Sequence, residues 1–136
     1  MRYFLDTNVC VDYLSGRYPA VLQRFRRVSP RDLCLSSVVV AELRYGADKS
    51  ANPRRNHQRL DVFLAEISCE SFGSEAAAAF GRLRAHLERQ GHPIGPYDMM
   101  IAAHALSLGL TLVTDNVREF SRVESLSLEN WREPTS

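Results

Sequence analysis

The chain has 136 residues, 45% of them hydrophobic and 24% charged, which suits one globular domain with a sizeable core and excludes a disordered or fibrous chain. Residues 1–136 read as a single domain, with no repeat, low-complexity tract or long linker to divide them. The formal net charge of +1 excludes a global field for polyanions, so any nucleic-acid site must come from local clustering. The three cysteines, Cys10, Cys34 and Cys69, are widely spaced and form no CxxC pair. Two of them lie in apolar runs and read as buried, reduced thiols, which fits a cytoplasmic protein. The amino terminus lacks a basic region followed by a long apolar stretch, so neither a signal peptide nor a membrane helix is expected.

In chain order, residues 2–5 read as a short apolar strand, followed at once by Asp6, Thr7 and Asn8 and a helix over 7–15 that ends at Gly16. Tyr18-Pro19 opens a second helix, and residues 29–32 form a turn. Leu33, Cys34 and Leu35 make a second strand, after which Ser36-Ser37 cap a helix over 38–47. Asn52-Pro53 starts a helix in which Leu60, Phe63, Leu64 and Ile67 recur at helical spacing. Residues 68–72 read as a third, short strand. A long helix over 74–90, capped by Ser74, carries Phe80, Leu83 and Leu87 on one face. After a loop at 91–95, Pro96 takes a first-turn position in a helix that runs to about residue 108, with Gly109 behind it. Residues 110–114 are a strongly apolar strand, 117–120 a turn of helix, and 125–128 a final strand. Strands alternating with helices imply βαβ units. Strands that are apolar throughout imply a sheet covered on both faces. The expected fold is therefore α/β, a three-layer α/β/α sandwich with a central, mainly parallel five-stranded sheet and its site at the carboxyl ends of the strands.

Four acidic stretches fall where such a fold would gather them. Asp6 follows strand one; Glu42 sits in the helix after strand two, among Val39, Val40, Ala41 and Leu43; Asp98 lies in the first turn of a helix; Asp115 follows the strand at 110–114. Each has a plain structural reading: a helix cap for Asp6, a dipole partner for Asp98, a turn pair for Asp115-Asn116, and a solvated position for Glu42. Converging carboxylates repel one another, and a hard divalent cation, Mg²⁺ or Mn²⁺, resolves that repulsion with oxygen ligands alone. Such a cation at an open cleft suits phosphodiester hydrolysis. His57, His86, His92 and His104 lack metal-ligand spacing, and His104 lies too far along its helix from Asp98 to share its face, so it reads as structural.

Taken together, LDTN, SSVVVAELRYGA, GPYDMMIAAHA and LTLVTDNVREFSRVESLSLENW resemble, in that order and over nearly the whole chain, the PIN-domain toxins of the VapC group. The resemblance implies a PIN-like parallel sheet of five strands, a Mg²⁺-dependent endoribonuclease that inhibits translation, a homodimer, and a cognate VapB-type antitoxin through which alone DNA is contacted. It maps Asp6, Glu42 and Asp98 onto the family's three acids, as catalytic residues and metal ligands. The broader pattern places a fourth acid where Asn116 stands, so Asp115 and Asn116 are both candidates, with Glu119 as another source of charge. Thr7, Asn8 and Thr114 are supporting positions; Thr114 offers a hydroxyl to a ligand or water, and Thr7 or Asn8 can serve as the helix cap. Members with the GPYD form imply a tRNA anticodon stem-loop as substrate, with the initiator tRNA as one candidate.

Lys49, Arg54, Arg55 and Arg59 cluster after the Glu42 helix, with Arg82, Arg84 and Arg89 as a second basic stretch. The first group reads either as a solvated face or as phosphate-positioning residues for RNA. Two other classes share the acid-rich α/β pattern. A haloacid dehalogenase-type phosphatase needs DxD after strand one, and here Asn8 occupies its third position. A non-catalytic module on the same fold would not need Asp6, Glu42 and Asp98 together.

Overall fold

In the computed structural model, which describes residues 1–134, five strands and seven helices alternate. They are β1 (Tyr3–Leu5), α1 (Thr7–Ser15), α2 (Pro19–Arg27), β2 (Leu33–Ser36), α3 (Ser37–Asp48), α4 (Pro53–Ala65), β3 (Ser68–Glu70), α5 (Ser74–Gln90), α6 (Pro96–Leu108), β4 (Thr111–Val113), α7 (Val117–Phe120) and β5 (Leu128–Glu129). The sheet is parallel throughout, in the order β3-β2-β1-β4-β5. The chain builds outward from β1 in one direction as far as β3, then crosses to β4 and builds the other way. Right-handed crossovers then place α1–α4 on one face and α5–α7 on the other.

The three central strands are buried on both faces, as continuous apolar runs require. Phe4 pairs with Cys34 on one side and Leu112 on the other, and all three are fully enclosed. The edge strand β3 departs from this: Ser68 and Cys69 are exposed, because the sheet ends there and no neighbour covers it. The strand expected at 125–128 forms later, as β5 at Leu128–Glu129, because residues 121–125 continue the turn that leaves α7. The cap of α5 is Gly73 rather than Ser74, which is the first helical residue.

The strand order reverses between β1 and β4, and their carboxyl ends lie side by side. Leu5 pairs with Val113, and the Asp6 N–H extends the ladder to the Val113 carbonyl at 3.1 Å. That crevice is where open α/β sheets place ligands. Trp131, 1% exposed, anchors the carboxyl-terminal segment to the body of the fold. It packs edge-on against Tyr3 and Phe25 and donates its indole N–H to Glu129, which also pairs with Arg24.

Candidate active site

Asp6 ends β1 and begins α1, and it serves both elements. Its Oδ1 accepts the Val9 N–H at 2.9 Å, so Asp6 itself is the N-cap of α1. Thr7 and Asn8, the capping alternatives, are instead the first residues inside the helix. Only 6% of Asp6 is exposed, and burial, offset in part by the Thr114 hydroxyl and the Val9 N–H and reinforced by the charges of Asp115 and Asp98, pushes its carboxyl up to about 6. Asp98 stands half-buried in the first turn of α6 and is also pushed up to about 6, first by burial and then by the charges of Glu119 and Glu42. The two acids therefore belong to one electrostatic cluster that includes Glu42, Asp115 and Glu119.

The remaining carboxylates differ in how they are held. Glu42 is half-buried on α3 and lines a cavity of about 330 Å³ between α1, α3 and α4, to which Thr7 contributes from α1. Glu119 on α7 accepts the Gly95 N–H at 2.9 Å and the Asn116 side-chain amide at 2.8 Å, and these bonds hold its carboxyl below the usual range. Asn116 thus positions Glu119 while its own N–H caps back onto the Thr114 hydroxyl at 3.0 Å. Asp115 is engaged elsewhere: it accepts the Asn8 amide at 3.2 Å and pairs with Arg132 at 3.0 Å. Gly95 lies against Asp98, and a Cβ there would meet Asp98 Oδ2 at 3.9 Å, ordinary contact that a side chain could tolerate.

Every donor in the cluster is an oxygen, which suits a hard divalent cation. Two further observations fit one. Burial and mutual repulsion raise Asp6 and Asp98, a conflict that a cation relieves. The Thr7 hydroxyl is buried with no protein partner, and so is free to bond a water or an ion. Among the described residues, no three His, Cys, Asp or Glu side chains already close on a single point. A divalent cation bound here would take water as well as carboxylate oxygen.

Three of the four predicted basic residues lie at the α3–α4 junction. Arg54 and Arg55 are exposed in the first turn of α4, and Lys49 lies over the Tyr45 ring at the end of α3. Arg59 reaches across to donate to the Leu14 carbonyl of α1 and lines the same cavity as Glu42, so of the four it comes nearest the acids. His104 is structural, as expected: it is 2% exposed, bonded through Nδ1 to the Ser36 hydroxyl and wedged edge-on between Phe4 and Phe72.

Two residues of this neighbourhood were not singled out from sequence. Asp12 is buried on α1, 5% exposed, while its neighbour Val11 is 48% exposed. Arg132 grips it through two bonds of 2.6 and 2.9 Å. The signal was present in the period: Asp12 follows Val9 by three residues and faces inward with it, whereas Val11 does not.

Comparison with known proteins adds a family. The PIN domain family model matches residues 3–126. The tRNA(fMet)-specific endonuclease VapC of Shigella flexneri is 43% identical over 131 residues, covering 96% of this chain and 98% of that protein. Ribonuclease VapC2 of Haemophilus influenzae is 44% identical, with the same coverage. The DNA-bound VapBC crystal structure from Salmonella typhimurium superposes with a TM-score of 0.91 at 40% identity, over 96% of this chain and 98% of the other.

Proposed function

Because the chain belongs to the PIN-domain family and is a ribonuclease of its VapC toxin group, we propose that it is a Mg²⁺-dependent endoribonuclease that cuts a tRNA anticodon stem-loop, with the initiator tRNA its leading candidate, and so stops translation. The substrate comes from relatives named for tRNA(fMet). A VapB-type antitoxin is its partner by analogy with the VapBC complexes of matching fold, and contact with DNA runs through that partner. The working form is a homodimer, and the site of action is the cytoplasm. Among the described residues no helix is long and apolar enough to cross a membrane.

The observation that carries the reading is the pair Asp6 and Asp98 at the carboxyl end of the central strands, both pushed up to about 6 by burial and by the carboxylates around them, Asp115 and Asp98 for Asp6, Glu119 and Glu42 for Asp98. Asp6, Asp98 and Glu42 are the residues to hold Mg²⁺, directly or through its waters. When bound, the cation supplies an activated water and stabilises charge on the phosphate. The chain's own residues then have distinct tasks. The α1 N-terminus fixes the Asp6 carboxylate through the Val9 N–H, and Thr114 steadies it from β4. Asn116 and the Gly95 N–H orient Glu119 beside Asp98, which makes Glu119 the fourth acid in place of Asn116. Arg54, Arg55 and Lys49 face solvent at the α3–α4 junction, where they can position backbone phosphates without reading sequence. Unpaired loop bases supply the selectivity.

The test is cleavage of a synthetic tRNA anticodon stem-loop with Mg²⁺ and with chelator. Discrete loop cleavage that chelator and Asp98→Asn both abolish supports the reading. Chelator-insensitive cleavage in the Asp98→Asn protein overturns it.

A further inference from the structure

Arg132 lies thirty-four residues beyond Asp98 in the chain, past the last strand, yet its guanidinium enters the acidic end of the sheet. Trp131, fully buried, delivers it there. The side chain is engaged on three sides. Nε and Nη2 bind the two oxygens of the buried Asp12 at 2.6 and 2.9 Å, Nη1 binds Asp115 Oδ2 at 3.0 Å, and the guanidinium stacks over the Tyr18 ring at 4.2 Å. This planar, forked geometry is available to arginine and not to lysine. Asp115 is thereby turned toward Arg132 and Asn8, although it immediately follows Thr114, which bonds Asp6.

We propose that Arg132 is a positioning residue that withholds Asp115 from the metal site, leaving Glu119 as the fourth acid and setting how tightly the site holds a divalent cation. The inference rests on the metal-nuclease reading. Asp12 anchors the guanidinium, and the guanidinium holds Asp115. One carboxylate of the cluster is thus tied to an arginine and held away from a bound cation. Without Arg132, Asp115 becomes a free charge beside Asp6 and adds to the field that a cation feels.

The experiment is calorimetric titration of the full-length, RNA-free protein with Mn²⁺ and with Mg²⁺, alongside thermal unfolding at each metal concentration. Arg132→Gln should bind Mn²⁺ roughly tenfold more tightly, the effect of one uncovered charge near the ion. Asp115→Asn in the otherwise unchanged chain should weaken binding by no more than the same roughly tenfold, since it removes one charge from the field but no ligand. The double variant Arg132→Gln/Asp115→Asn should return to the unchanged value. Arg132→Gln strands Asp12 in the interior, so Arg132→Gln/Asp12→Asn, which removes the buried charge with its partner, carries the same measurement if the single variant does not fold. Unchanged affinity on loss of Arg132, while Asp98→Asn abolishes binding, overturns the role of Arg132 and leaves the metal-nuclease reading intact. A loss of affinity well beyond roughly tenfold in Asp115→Asn also overturns it, because Asp115 would then be a ligand. Absence of saturable binding in the unaltered protein overturns both.

Discussion

Asp6→Asn removes one charge from the acid cluster and keeps the helix cap. Asparagine caps as well as aspartate does, and its one oxygen can still accept the Val9 N–H. In the metal-free protein the Asp6 carboxyl sits at about 6 against an ordinary 3.8. The folded chain therefore holds the proton more tightly than the unfolded chain. The stabilisation from protonation is complete below about 3.8, declines as pH rises, and is gone above about 6. At pH 8 the folded state carries the whole cost of a buried carboxylate. At 1.36 kcal/mol per pH unit, the rise from 3.8 to about 6 corresponds to about 3 kcal/mol. Burying the amide in its place costs roughly 1–2 kcal/mol, so a net gain of roughly 1–2 kcal/mol is expected for Asp6→Asn. In a domain of this size that raises Tm by roughly 3–6 °C. Differential scanning calorimetry in chelator at pH 8 and again at pH 5 measures it, and the gain should shrink at the lower pH. Mg²⁺ should raise Tm in the unaltered protein and not in the variant. A metal-free Asp6→Asn protein less stable than its parent at pH 8 would refute the account of Asp6 as a strained, metal-seeking acid.

Asp98→Asn and Glu42→Gln should each lower RNA cleavage more than about a hundredfold while leaving circular dichroism unchanged, because each removes a metal-facing charge and no core contact. Glu119→Gln should weaken Mg²⁺ activation more than Asp115→Asn does, and Asn116→Ala should fall between them by releasing the Glu119 carboxylate; initial rates across a Mg²⁺ series rank the three. Arg54→Ala and Arg55→Ala should weaken binding to all RNAs alike and each reduce the slope of log affinity against log salt by about 0.7, as measured by fluorescence anisotropy. Trp131→Ala should destabilise the fold by about 3–5 kcal/mol in urea titration, since its ring is fully enclosed against Tyr3 and Phe25.

The architecture was legible because the strands β1, β2 and β4 are short apolar runs punctuated by caps and glycines, and because Gly16, Gly91 and Gly109 end helices in the left-handed conformation that glycine tolerates. The edges were less legible. Strand β3 carries exposed Ser68 and Cys69, and β5 has two residues, so neither shows a burial period to read. At the site, Asp6, Glu42 and Asp98 could be named as candidates because Asp6 follows a strand, Glu42 lies among apolar neighbours and Asp98 opens a helix, in an order that resembles the family's. Asp115 and Asn116 could not be separated from one another, because what divides them is tertiary. Arg132, more than a dozen residues on, takes Asp115, and Glu119, one helical turn on, takes Asn116. Sequence adjacency carries no trace of the first of these partnerships.

The central claim, a metal-dependent ribonuclease acting on tRNA through Asp6, Asp98 and Glu42, is tested most directly by sequencing the 5′ ends of cellular RNA after brief induction of the unaltered chain and of Asp98→Asn. The account predicts new ends confined to the anticodon loop of one tRNA, with the initiator tRNA first among them, and none with the variant. Cuts scattered across messenger RNAs with tRNAs left whole, or the same tRNA ends from the Asp98→Asn protein, would contradict it.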